Sequence, residues 1–253
     1  MISSLNDLRL VELERLILHE AHDESRLAGL RERIESEGVQ RNPVIIAPLE
    51  DNYLVLDGAH RVHTMREMDS RFILAQLVEP PDKTESWSHH LTGIESSALR
   101  RIEEIEVSRS PDAPWLAELE HGNGARFYVR ARGAGLLAEV RALWKLGEVY
   151  PNEGVVRRVE SDQPVHIGDG ETLIRYRPFT ARELAEIVRS GVVLPAGITR
   201  FRIRERVLGV RFPLEKMKDG DLEARNADLR KFVEGHQEQN RIRYYGEPVV
   251  LFE

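Results

Sequence analysis

The sequence predicts a mixed α+β protein, α/β in the broad sense, built as two interdependent lobes. Three observations carry this. Short β-branched runs alternate with helical periodicity over residues 1–95, helical signals dominate residues 96–150, and both kinds return from Val155 onward. With 253 residues, 41% hydrophobic, there is chain enough for about two domains, each with a real core. The expected boundaries are 1–95 and 96–253, with no internal repeat or low-complexity linker between them.

Taken in order, Leu10 to Leu18 reads as a strand, interrupted at His19-Glu20-Ala21-His22. Asp23 to Glu37 places Leu27, Leu30 and Ile34 on one helical face, and Gly38 follows as a natural C′ residue. The run Val44 to Ala47 is a strand by its β-branching; Glu50-Asp51-Asn52 turns the chain into a second, Tyr53 to Leu56. Asp57-Gly58 then leads into a helix from Ala59 to Met68, followed by a strand from Phe72 to Val78. Glu79-Pro80-Pro81-Asp82 closes the unit. Helices are expected at Ser97 to Glu106, Pro114 to Glu120 and Leu136 to Leu146. A strand from Ala125 to Arg132 is introduced by His121-Gly122-Asn123-Gly124. Thr180 with Glu183 is a capping-box signature for a helix ended by Gly191. Strands at Ile198 to Val207 and Val249 to Phe252 flank a polar helix at Asp221 to Gln239.

Composition excludes several chemistries. The absence of cysteine removes disulfides, thiolate metal sites and any cysteine nucleophile. A net charge of -7 argues against a general nucleic-acid coat. No apolar run is long enough to cross a membrane, and the start, MISSLNDLRLVELERL, lacks the pattern of a secretory signal, so a cytoplasmic setting is the expectation. The spacing of His19, Glu20 and His22, of His60 and His63, and of His89 and His90 does not match a zinc motif.

The most informative segment is Leu56-Asp57-Gly58-Ala59-His60-Arg61. A strand ends, a glycine permits a tight turn, and a helix begins, so free N–H groups and the helix dipole make an anion site. His60 and Arg61 stand in its first turn, where they can bond phosphate oxygens. Asp57 at the strand end would be repelled by phosphate unless a divalent cation intervened, which suggests Mg²⁺ held directly or through water. The competing reading makes Asp57 an N-cap and His60 and Arg61 surface residues.

The string DGAHR after an apolar strand resembles the ParB/sulfiredoxin-like superfamily, whose equivalent loop binds nucleotide phosphates, over about residues 8–92. Ala59 stands where sulfiredoxins carry their cysteine, which rules out that reaction. His60 departs from the partition proteins' arginine pair. The remaining branch, the free L-serine kinases, including the siderophore-cluster type of staphyloferrin B synthesis, resembles this chain in more than the loop. Glu20 occupies the place of that family's glutamate after the first strand, which implies a general base for the serine hydroxyl; the alternative is a solvated glutamate ahead of a helix. Trp87 resembles a tryptophan that walls the active site, or is a packed aromatic. Leu194-Pro195-Ala196-Gly197-Ile198-Thr199-Arg200-Phe201 resembles a segment that contacts the amino acid, with Thr199 and Arg200 matching and Ile198 and Phe201 departing. Beyond it, Arg200, Arg202, Arg204 and Arg206 alternate as if on one strand face. A solvated face is the usual reason; a phosphate wall or a DNA-contacting stripe are the functional ones.

The resemblance therefore implies a kinase that phosphorylates free L-serine with a nucleotide, ATP or ADP, and Mg²⁺, with its cleft between a ParB-like lobe and a C-terminal lobe. Siderophore or 2,3-diaminopropionate synthesis is the pathway it suggests. The rival expectation is a ParB-like, nucleotide-dependent DNA-binding transcriptional regulator. DNA binding is the less favoured of the two.

Overall fold

The structure, a computed structural model, describes residues 3–22, 27–80, 82–92, 94, 96–112, 114–150 and 156–246. In chain order the elements are β1 (Leu8–Glu12), β2 (Leu16–Leu18), α1 (Leu27–Glu37), β3 (Val39–Gln40), β4 (Val44–Leu49), β5 (Asn52–Asp57), α2 (Ala59–Glu67) and β6 (Phe72–Leu77). There follow β7 (Glu85–Thr92), α3 (Ser96–Leu99), β8 (Ile105–Ser108), β9 (Ala117–His121), β10 (Arg126–Ala131) and α4 (Leu136–Gly147). The last are β11 (Arg157–Glu160), β12 (Glu171–Tyr176), α5 (Ala181–Arg189), β13 (Thr199–Arg200), β14 (Phe212–Pro213) and α6 (Leu222–Glu238). The mixed α/β expectation holds.

The chain divides otherwise than at residue 95. One compact unit comprises Met1–Leu16, Glu24–Glu79 and Ile203–Glu253; the second comprises Ile17–Asp23 and Pro80–Arg202. The C-terminal segment joins the first unit through named bonds. Phe212 and Pro213 pair with Gln40 and Val39, and Asn226 of α6 exchanges two hydrogen bonds with the backbone of Leu10 in β1.

In the first unit the hydrogen-bonded strand order runs β1-β6-β4-β5, with β4 and β6 parallel and the other pairs antiparallel. Its core collects Leu10, Ile46, Phe72, Ile73 and Leu74 from the sheet, and Val62 and Met65 from α2. The expected strand Leu10 to Leu18 is broken into β1 and β2 by a 3-10 turn at Leu13–Arg15, where Leu13 turns inward. Of the expected face of helix α1, Leu27 and Ile34 are buried and Leu30 is half-buried, and Gly38 beyond the helix takes φ +64°. The expected helix start at Asp23 and the expected strand Val249 to Phe252 lie outside the described residues.

The second unit is organised by one sheet, in the order β11-β7-β12-β9-β10-β8, with β13 also paired to β7. Two expected helices are corrected here. The segment Pro114 to Glu120 gives strand β9, and Ser97 to Glu106 gives only the short α3 before β8 begins at Ile105. Leu, Ala and Glu favour helix locally, but the His121-Gly122-Asn123-Gly124 turn makes a hairpin of both its flanks. Antiparallel pairing of β9 with β10 and β12 outweighs propensity. The capping box of α5 forms in full: Thr180 Oγ1 accepts from the Glu183 N–H, and the Glu183 carboxylate accepts from the Thr180 N–H.

Candidate active site

The first group of interest is the loop between β5 and α2. Gly58 is the N-cap of α2 and adopts φ +106°. A Cβ there would sit 2.7 Å from Val44 Cγ1 and 2.8 Å from Arg61 Nη2. The position therefore needs glycine twice over, for its dihedral and for its space. Ala59 and His60 open the helix, and the N–H groups of this first turn have no carbonyl one turn earlier to bond. Since Gly58 is the N-cap, Asp57 is not.

Asp57 ends β5, and its side chain is 43% exposed. Its carboxylate lies 2.5 Å from Arg206 Nη1 and 3.9 Å from Arg61 Nη2. Burial works against its charge, but Arg61, Arg206 and the Gly58 N–H prevail and hold its pKa below the ordinary aspartate value. The repulsion that suggested a cation is thus already offset by two guanidinium groups. Among the described residues no cluster of three or more metal-ligating side chains occurs. Arg61 is anchored from the other side by a long contact with the Asn42 carbonyl, 3.5 Å away.

The second group is assembled by residues 194–201 of the second unit. Leu194 bonds the backbone of His19 and Ala21, both at 2.8 Å, which aligns this segment with Glu20. The Glu20 carboxylate then accepts the Gly197 N–H at 2.9 Å, the Thr199 N–H, and the Thr199 hydroxyl at 2.6 Å. The sequence names Glu20 and the Thr199 segment separately as substrate contacts; the fold brings Glu20 and Thr199 into direct contact with each other. The solvated-glutamate alternative is excluded by these three donors.

Thr199 and Arg200 are successive residues of β13, so their side chains leave on opposite faces. Thr199 meets Glu20. Arg200 reaches Glu85 at 3.1 Å and Glu160 at 2.7 Å, and its guanidinium lies 4.9 Å above the centre of the Trp87 ring. Trp87 and Arg200 therefore form a second cluster, distinct from Glu20 and Thr199.

The strand expected from Ile198 to Val207 is corrected, because pairing stops at Arg200. Burial still alternates through Val207, with Arg202, Arg204 and Arg206 exposed, but without a ladder the arginines do not form one face. Arg202 pairs with Glu85 and Asp162, while Arg206 belongs to the first unit and pairs with Asp57. This removes the arginine stripe that supported DNA contact. It also distinguishes one of the four arginines: Arg206 pairs with Asp57 at the start of the β5–α2 loop. His19 and His89, whose spacings match no zinc motif, are both buried parts of the Glu20 environment. His19 Nε2 lies 2.7 Å from Thr199 Oγ1, and His89 Nε2 lies 2.8 Å from the Gly197 carbonyl.

No family model matches the chain. Across its length it is similar to a protein of Staphylococcus aureus (strain NCTC 8325 / PS 47) named ATP-dependent L-serine kinase SbnI. The two are 24% identical over 252 residues, covering 97% of each. The solved structure of SbnI with C-terminal truncation from Staphylococcus aureus superimposes with a TM-score of 0.81 at 21% identity, over 94% of this chain and all of that one. A free serine kinase in complex with AMP superimposes with a TM-score of 0.67, also at 21% identity, over 83% of this chain and 93% of that one. The chain has the fold of the free serine kinases. No helix among the described residues is long and apolar enough to cross a membrane.

Proposed function

We propose that the protein is a kinase that transfers the γ-phosphate of a nucleotide, ATP first among donors, to the hydroxyl of free L-serine, giving O-phospho-L-serine. The observation that carries this is the Glu20 carboxylate, held by two backbone N–H groups and already bonded to an alcohol, that of Thr199, at 2.6 Å. A carboxylate oriented to accept from an alcohol is what a serine kinase requires of its base. Of its roughly four acceptor sites, three are used, which leaves one for the hydroxyl of a substrate. The length-wide similarity to a protein named an L-serine kinase supports the same reading.

In this mechanism the nucleotide phosphates bind the N–H groups of the first turn of α2, with Gly58 allowing close approach and Ala59, His60 and Arg61 lining it. Arg61 and Arg206 add charge to that side. The serine hydroxyl donates to Glu20. As its oxygen bonds the γ-phosphorus, the proton passes to Glu20 and the bond to the β-phosphate oxygen breaks, releasing the nucleoside diphosphate. Thr199 orients the base; Trp87 and Arg200, whose cluster with Glu85 and Glu160 lies on the other face of β13, are not assigned to the serine that Glu20 deprotonates. Asp57 is the residue that would hold Mg²⁺, directly or through water, in exchange for its ion pair with Arg206. When bound, Mg²⁺ neutralises phosphate charge. We place the reaction in the cytoplasm.

The test is to incubate the protein with ATP, and separately ADP, together with Mg²⁺ and L-serine, and to follow phosphoserine by mass spectrometry. Glu20→Gln, which keeps shape but cannot take the proton, should lower the rate on the order of 100-fold or more. Absence of phosphoserine from the unaltered protein with either donor overturns the proposal. Threonine and homoserine in parallel reactions define the acceptor.

A further inference from the structure

The Glu20 carboxylate is surrounded by groups that are themselves held, and the holders are two histidines. Thr199 Oγ1 has one proton. It lies 2.6 Å from Glu20 Oε1, which only accepts, so the proton points there. His19 Nε2, 2.7 Å from the same oxygen, must then be the protonated nitrogen, donating to the hydroxyl. In the other tautomer Nε2 would be an acceptor and would compete with Glu20 for that proton. The His19 ring is fixed edge-on against Phe201, centroids 5.3 Å apart, and is 4% exposed.

On the other oxygen the donor is the Gly197 N–H, and the same residue is held on its far side through its carbonyl, in the next peptide group, which accepts from His89 Nε2–H at 2.8 Å. That leaves His89 Nδ1 as an acceptor for the Tyr150 hydroxyl at 2.9 Å, and Tyr150 in turn bonds Tyr176. Gly197 has φ +77° and the Arg158 guanidinium packed against it, so its backbone is confined from several sides. Burial depresses the His89 pKa to about 4; the Gly197 carbonyl opposes this less strongly and the Arg158 charge adds a smaller push downward, so the ring is neutral near pH 7.

We propose that His19 and His89 are positioning residues for Glu20, each donating one N–H that aims a hydrogen-bond donor of the 194–199 segment at one carboxylate oxygen. Neither histidine touches the reacting atoms. Together they fix the direction of the base's remaining lone pair, and a misdirected base costs rate without costing nucleotide affinity. This rests on the serine kinase reading of Glu20 and deepens it.

The experiment compares His19→Phe, which keeps an aromatic ring against Phe201 but removes the donor, with His19→Gln, whose amide N–H can stand in for Nε2–H. In His19→Phe, kcat for phosphoserine formation should fall about 10- to 100-fold with KM for the nucleotide unchanged, and His19→Gln should recover most of the loss. A wild-type kcat in His19→Phe overturns the proposal. So does an equal loss in both variants, because the N–H is then not what matters. Thermal melts identify a variant that fails to fold, and in that case His19→Gln alone carries the comparison. Amide hydrogen exchange of the peptide spanning 194–199 supplies a readout independent of turnover. It should accelerate in His19→Phe and in His89→Phe, and unchanged exchange in either overturns the proposal whatever the activity. If the unaltered protein makes no phosphoserine, the kinase reading falls, and the exchange experiment still decides whether the histidines hold these donors.

Discussion

At Gly58 a single hydrogen atom in place of a side chain decides whether the loop between β5 and α2 can take its shape. An added methyl group would meet Val44 Cγ1 at 2.7 Å, and Val44 is fully buried in the sheet, so the loop would have to move instead. The positive φ adds about 1–2 kcal/mol for any L side chain. Gly58→Ala should therefore lower the melting temperature and weaken nucleotide binding at least about tenfold, which calorimetric titration with ATP and ADP would measure. Unaltered nucleotide affinity would show that the phosphates bind elsewhere. Arg206 makes the complementary case. Its guanidinium is seated on Asp57 at the edge of the same loop, so Arg206→Ala should raise KM for the nucleotide several-fold and change kcat little, as loss of uniform binding does. Steady-state kinetics with varied nucleotide separate the two effects.

Among the elements, helix α6 shows how the C-terminal segment is tied to the first unit. Asn226 acts toward β1 as a neighbouring strand residue would, accepting from the Leu10 N–H at 2.8 Å and donating to the Leu10 carbonyl at 3.1 Å. Gln40 does the same for Leu74 in β6, at 2.9 and 2.8 Å. Asn226→Ala removes both partners of Leu10 and should cost about 1–3 kcal/mol, with faster exchange of the Leu10 amide. Chemical denaturation with exchange at β1 would check this; an unchanged midpoint would mean that solvent replaces the amide without loss. Such long-range pairings mark the limit of sequence reading. Local signals were legible: the Thr180-Glu183 box, Gly38, Gly58 after an apolar strand, and the apolar spacing of α1. Strand β7 was not, because Glu85 to Thr92 interleaves Trp, Ser and His whose burial comes from three partner strands, β11, β12 and β13, distant in sequence. Glu20 and Thr199 are each singled out by resemblance, but their contact across 179 positions is not. His19 and His89 were missed because nothing local distinguishes a histidine that donates to a loop more than a hundred residues away.

For the molecule as a whole, 43 acidic and 36 basic side chains give a net charge of -7, yet most visible ion pairs are surface ones that contribute little individually. The acid limb of stability should instead begin with His89. Its folded pKa of about 4 lies below the ordinary value of 6.5, so between these pH values the unfolded chain binds a proton that the folded chain refuses. Its neutral form is fully compatible with the fold above pH 6.5. Stability should then decline as pH falls from 6.5 towards 4, by about 3 kcal/mol, after which this group adds nothing further. Asp57 acts later: its depressed pKa means that its contribution, present above the ordinary aspartate value, is lost only at lower pH still. The two groups lie in different units, and Trp87, Trp115 and Trp144, the chain's three tryptophans, all fall within Pro80–Arg202, the stretch that holds His89. Denaturant unfolding followed by tryptophan fluorescence should show the decline between pH 6.5 and 4, and His89→Gln, which keeps an N–H for the Gly197 carbonyl but cannot be protonated in this range, should flatten it. A decline of equal slope in His89→Gln would assign the acid sensitivity to another group.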